Sequence, residues 1–205
     1  MVSAFVRECD LLVSDSQIDG MGDGEYQANK LATGWNKGNE FAYSALKDQV
    51  ASGAVHHLPT ARLHAAWKWN LSRERLQSEV TESQFVAKVM FLKLDGKAVS
   101  IAVWPDGVSV ILPSVDFVCV RRAELAPTKF FRKQDDMVFV PWDTVLPLLQ
   151  KHGSPGPDRS FSLAWVEPPA EVVKFVKSLP KDPRTVEGLS ADNVLDRELV
   201  EKALR

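Results

Sequence analysis

The chain has 205 residues, 45% of them hydrophobic, with a formal net charge of −2. That is enough apolar material for one self-supporting domain with a small appendage. The weakly acidic balance argues against bulk electrostatic binding to nucleic acid or to an anionic membrane.

Residues 2–13 place Ala4, Phe5, Val6, Cys9, Leu12 and Val13 at helical spacing, which predicts a helix. Arg7, Glu8 and Asp10 interrupt its apolar stretch, so it reads as neither a secretion signal nor a membrane span. Residues 14–24 are glycines among aspartates and predict a loop. Asn39 is a candidate N-cap for a helix carrying Phe41, Ala42, Ala45, Leu46 and Val50, ending near Gly53. Pro59-Thr60 opens the next helix, through about Leu76, with Leu63, Ala66, Trp67 and Leu71 facing inward and Trp69 a further candidate.

The centre of the chain, Phe85 to Arg121, reads as a strand meander. Phe85–Leu94 is largely apolar on both faces and predicts a central strand. Asp95-Gly96 is a strong hairpin signal, and Lys97–Trp104 is the return strand. On that strand Val99, Ile101 and Val103 share one face, while Ser100 and Ala102 make a small, solvated one. Pro105-Asp106-Gly107 turns the chain into Val108–Leu112; Pro113-Ser114 breaks it before Val115–Arg121. Strands joined by such short turns are expected to be antiparallel.

Met137–Val140 predicts another strand. A helix follows Pro141, with Val145, Leu146, Leu148 and Leu149 apolar and Pro147 making it short, bent or late to start. Phe161–Val166 alternates as a last strand. Pro168-Pro169 precede a helix with Val172, Val173, Val176 and Leu179, ended by Pro180, Asp182 and Pro183. A linker then leads to a terminal amphipathic helix, Ser190 to Leu204, with Val194, Leu195, Leu199 and Ala203 on one stripe. The order predicts an α+β fold: an antiparallel meander sheet of about five to six strands flanked by helices, with a strongly curved or barrel-like sheet as the alternative. Residues 1–180 are expected as one domain and residues 181–205 as linker plus helix.

Chemical motifs are sparse. Aligning Asp15 with the first position of a calcium loop leaves Tyr26 where the bidentate glutamate belongs, so residues 15–25 favour a solvated loop. His56, His57 and His64 lack the four-residue spacing that puts two ligands on one helix face. The pair Asp135-Asp136 near a strand end is too common a pattern to define a magnesium site, and carboxylates are mostly solvated. No nucleophile elbow, paired-cysteine motif or phosphate loop is present. The two cysteines, Cys9 and Cys119, offer no disulfide framework, so a reducing, cytoplasmic setting is expected, with Cys119 a buried thiol.

Two surfaces remain. Arg62, Lys68, Trp69, Arg73 and Arg75 on the 59–76 helix interleave cations with aromatics, a pattern that suits single-stranded nucleic acid. The whole-chain charge does not favour it. Trp35, Trp104 and Trp142 each sit beside turn residues, where tryptophan is often partly exposed and enriched in interfaces. With Leu195 and Leu199 of the terminal helix they are the candidate partner-binding residues. The expectation is a non-catalytic protein that binds another macromolecule, as accessory subunit, adaptor or inhibitor-type partner, without cofactor or metal. The alternatives are a metal-assisted hydrolase or nuclease, or a nucleic-acid-binding subunit using the 59–76 helix.

Overall fold

The computed structural model describes residues 2–11, 30, 38, 41–42, 44–45, 56–129, 132–133, 136–190 and 193–204. The chain divides into two compact units, one of residues 1–55 with 197–205, the other of residues 56–196. In the first, α1 spans Val2–Glu8, as the helical spacing predicts. Residues 41, 42, 44 and 45 are helical, and the rest of the helix expected there lies outside the described residues, as do Trp35 and the 15–25 loop. The closing helix, α5, covers Arg197–Leu204 and buries Val200.

The second unit is α+β. Its first strand, β1 (His56–Leu58), leads into α2 (Thr60–Ser78). Then come β2 (Phe85–Val86), β3 (Met90–Leu94), β4 (Lys97–Pro105), β5 (Val110–Leu112), β6 (Phe117–Arg122), β7 (Thr128–Lys129), β8 (Arg132–Lys133) and β9 (Asp136–Pro141). Helix α3 (Trp142–His152), β10 (Ser154–Pro155), β11 (Phe161–Leu163), α4 (Ala170–Ser178), β12 (Val186–Gly188) and β13 (Val194–Asp196) complete it. One sheet is five-stranded and curled into a half-barrel, in the order β12-β3-β4-β6-β9; a second is four-stranded, β10-β11-β5-β2. Strand β13 pairs with β1, and β7 with β8.

The sheets are mixed rather than purely antiparallel. Asp95 and Gly96, at φ 49° and 77°, do make the tight β3–β4 hairpin. The next turn behaves differently. Asp106 and Gly107 also take positive φ, but they send β5 into the other sheet, and β6 returns parallel to β4. Polar bonds fix that return. The Ser100 N–H and Oγ–H donate to Asp116 Oδ2 at 2.8 and 2.7 Å, and Asp116 N–H donates back to Ser100 O at 3.1 Å. Gly107 is also required sterically: a Cβ there would lie 2.9 Å from Val172 Cγ1 of α4.

Faces are assigned differently from the expectation for β4. Ala102 and Trp104 lie with Val118, Val120, Val138 and Val140 in the main core, shared with β5, β11, α3 and α4. Ile101 joins the smaller cluster of Leu94, Cys119 and Phe139 on the opposite face. The face read as solvated is the dry one. Pro147 does not shorten α3, which starts at Trp142 and buries Val145 and Leu149. The stretch expected as a linker contains β12, hydrogen-bonded along β3, and residues 194–196 are a strand rather than the start of a helix.

The run Phe85–Leu94 is not one strand. It is cut at residues 87–89 by side chains of α2. Asn70 Nδ2 donates to Val89 O, and Asn70 Oδ1 accepts the Val89 N–H, both at 2.9 Å. Trp69 Nε1 donates to Ala87 O at 2.7 Å, Arg73 Nε to Val86 O at 3.1 Å, and Gln77 Nε2 to Gln84 O at 2.9 Å. Gln77 Oε1 accepts the Val86 N–H at 2.8 Å. A helix docked through this ladder has no need of a broad apolar stripe. Its buried residues are Ala66 and Trp69, while Trp67 and Leu71, expected inward, are 67% and 55% exposed. Replacing Asn70 with alanine leaves both backbone groups of Val89 unpaired, each costing about 1–3 kcal/mol. Urea unfolding should show that loss in Asn70→Ala, and a change within about 0.5 kcal/mol in Leu71→Ala.

Candidate functional site

Strand β9 is the edge of the five-stranded sheet. Beside it lies an open, mainly apolar trough of about 380 Å³, lined by residues 138–141 on one side and 179–184 on the other. That size is within the range of ligand-binding clefts.

The trough is framed by Arg122, on β6, which is fully buried. Its Nε and Nη2 donate to the Asp136 carboxylate oxygens, both at 2.7 Å, fixing the start of β9. Its Nη1 donates to Val176 O at 3.1 Å and Leu179 O at 2.7 Å, capping the C-terminal end of α4. A cation there also complements the helix dipole. One guanidinium thus fixes both walls. At the far end of the wall, Thr185 N–H donates to Asp95 Oδ1 at 3.1 Å and Asp95 N–H to Thr185 O at 3.0 Å.

The edge itself is met by side chains. Phe139 N–H donates to Asp182 Oδ2 at 2.8 Å, and Arg184 Nη2 donates to the Phe139 carbonyl. Phe139 therefore turns both backbone groups away from β6. By the alternation of an antiparallel ladder, Met137, two residues away, does the same. Pro141 fits this pattern, because proline in a sheet belongs where the missing N–H faces outward. Arg184 also donates to Asp182 through Nε at 2.8 Å and Nη2 at 2.6 Å. Its guanidinium carbon lies 5.0 Å from the centroid of the Phe117 ring.

Burial opposes ionisation of Asp182, but the Arg184 guanidinium and the N–H groups of Phe139 and Arg184 outweigh it, holding the carboxyl at about 2. Cys119, across from Phe139 on β6, is pushed up to about 11 by burial and by the charge of Asp182. A thiol held so high is protonated and inert at neutral pH.

The residues singled out from the sequence are scattered. Trp104 is completely buried, with Nε1 donating to Val108 O at 2.9 Å, and Trp142 is 6% exposed. Neither is a rim residue; the turns beside them point their indoles into the core. Trp35 lies outside the described residues. Leu195 is half-buried on β13 and Leu199 half-buried on α5. On α2, Arg62 pairs with Asp116 at 3.0 Å, Lys68 with Asp158 at 3.0 Å and Arg75 with Glu79 at 2.6 Å. Arg73 and Trp69 are engaged with the backbone of residues 86 and 87. The cations of that helix face carboxylates or carbonyls of this chain. His56 and His57 lie on β1 and His64 is exposed on α2; among the described residues no metal-binding group of three or more His, Cys, Asp or Glu occurs. Asp136 is bound to Arg122, and Asp135 lies outside the described residues.

The trough was not found from the sequence, where residues 180–184 read as the end of a helix. One signal was available. Asp182 and Arg184 flank Pro183, two residues apart, which places both side chains on one side of an extended segment.

Fold and site together define an α+β protein with an open, apolar cleft along a sheet edge. Compared with protein-family models, curated proteins and solved structures, the chain shows no match. Among the described residues no helix is long and apolar enough to cross a membrane.

Asp182 supplies a pH test. Its folded value, about 2, is below the ordinary 3.8, so its contribution to stability is complete above pH 3.8 and is lost as pH falls toward 2. Thermal melts should show wild type ahead of Asp182→Ala at pH 6, with the gap closing between pH 4 and pH 2. A gap unchanged across that window would contradict this.

Proposed function

We propose that this protein binds another protein, taking up an extended segment of its partner as an added strand along β9. The observation that carries this reading is the trough beside outward-facing backbone groups of an edge strand. Strand addition uses this combination: main-chain hydrogen bonds for affinity, and adjacent apolar surface for alternate side chains. The apolar lining from Leu179, Pro180 and Pro183 suits such side chains. The role is that of an adaptor or accessory subunit rather than a catalyst. Supporting this, two charge pairs at the trough are closed on themselves, Arg122 with Asp136 and Arg184 with Asp182. The unbridged thiols of Cys9 and Cys119 support a reducing, cytoplasmic setting.

The test is peptide selection. Phage-displayed random dodecapeptides are panned against the full chain and re-tested on Met137→Pro, which removes one outward N–H while leaving the β6 ladder in place. Selected peptides are expected to shift the amide resonances of residues 137–141 and to lose at least about tenfold in affinity for Met137→Pro, a difference near 1.4 kcal/mol. Melting of the variant within a few degrees of wild type guards against global unfolding. Recovery of no peptides, or of peptides that shift resonances elsewhere, contradicts the reading.

A further inference from the structure

We infer that Asp182 and Arg184 form an internal stand-in for the bound strand, a clip that must open before a partner can pair with β9. This rests on the strand-addition reading and says how that site is regulated.

The geometry is specific. A pairing strand would offer Phe139 an acceptor for its N–H and a donor for its C=O. Asp182 Oδ2 is the acceptor, at 2.8 Å, and Arg184 Nη2 is the donor. Both of the edge atoms that a guest strand would use at Phe139 are already occupied. The clip is braced within itself: Arg184 N–H also donates to Asp182 Oδ1 at 3.0 Å, and the guanidinium rests over the Phe117 ring. The low carboxyl value of Asp182 shows that the pair stays ionised at neutral pH.

The segment carrying the clip is pinned on either side, at Leu179 by Arg122 and at Thr185 by Asp95. Pro180 and Pro183 stiffen the chain between these points. Opening is therefore a rotation of two side chains, with the trough walls left standing. An occupied edge also has a simpler use, since capping keeps edge strands from pairing with other copies of the same chain. The two uses differ in one respect: a gate competes with a peptide guest for the Phe139 atoms, and its removal raises affinity for that guest.

Two measurements on the full chain test this. The first is amide hydrogen exchange at Phe139 in wild type and in Asp182→Ala/Arg184→Ala. The second is panning of the dodecapeptide library on both proteins, with affinities cross-measured. The clip predicts Phe139 exchange at least about tenfold faster in the double variant, and β9-directed peptides that bind it at least about tenfold more tightly than wild type. Exchange at Phe139 unchanged by the substitutions overturns the clip. Equal peptide affinity for both proteins overturns the gate and leaves strand addition standing. Failure to recover β9-directed peptides from either protein, with Phe139 exchange accelerated, overturns the strand-addition reading and the gate with it. Arg184→Lys/Asp182→Glu, which keeps both charges, is expected to stay closer to wild type in both measurements.

Discussion

The backbone groups at a sheet edge have to be satisfied by something, and at two edges of this protein, β2 and Phe139 of β9, side chains do it. A strand edge left bare in a partly buried position costs free energy for each unpaired N–H or C=O. At β2 the partners come from α2. Trp69, Asn70, Arg73 and Gln77 bond the backbone of residues 84–89 and stand where another strand would be. The four positions follow helical spacing on one face, so a single straight helix covers the edge. This ladder decides where β2 ends, where β3 begins and which sheet each joins.

The second edge, β9, uses the same principle with charge in place of amides. Asp182 and Arg184 bond Phe139, and Arg122 holds the surrounding walls at a fixed spacing. Arg122 is the buried cation that makes this arrangement possible. Burial of an unpaired guanidinium would be prohibitive, but here the bonds to Asp136, Val176 and Leu179 engage its three nitrogens. Arginine suits the role better than lysine, because its planar fork meets a carboxylate with two bonds and still reaches the end of a helix. The result is a cleft next to a strand edge whose Phe139 backbone groups are met by two side chains.

Much of the fold was legible in the sequence. Asp95-Gly96 gives the hairpin, the Val172–Val176 spacing gives α4, and the core of α3 follows from Val145 and Leu149. These signals are local, and local signals survive into the fold. The failures share another cause. Phe85–Leu94 is mostly apolar, and nothing within it announces that Asn70, on the preceding helix, cuts it in two. The apolar period on α2 pointed to Trp67 and Leu71, while the helix docks by polar side chains that a hydrophobic count scores as surface. Trp104 and Trp142 sit beside turns, yet turns at a core boundary direct indoles inward as readily as outward. The cleft at β9 depends on residues 122, 136, 139, 182 and 184 meeting in space, and these come from three separate stretches of the chain.

The central claim is that side chains, not strands, meet the backbone at the β2 edge and at Phe139 of β9. Site-resolved amide exchange on the unmodified protein tests it most directly, comparing Phe139 with Met137. Both N–H groups face away from β6, but Phe139 has the Asp182 carboxylate as its acceptor. The account predicts slow exchange at Phe139, at Val86 and at Val89, and fast exchange at Met137. Exchange at Phe139 as rapid as at Met137, with Val118 and Val120 still protected, would contradict it.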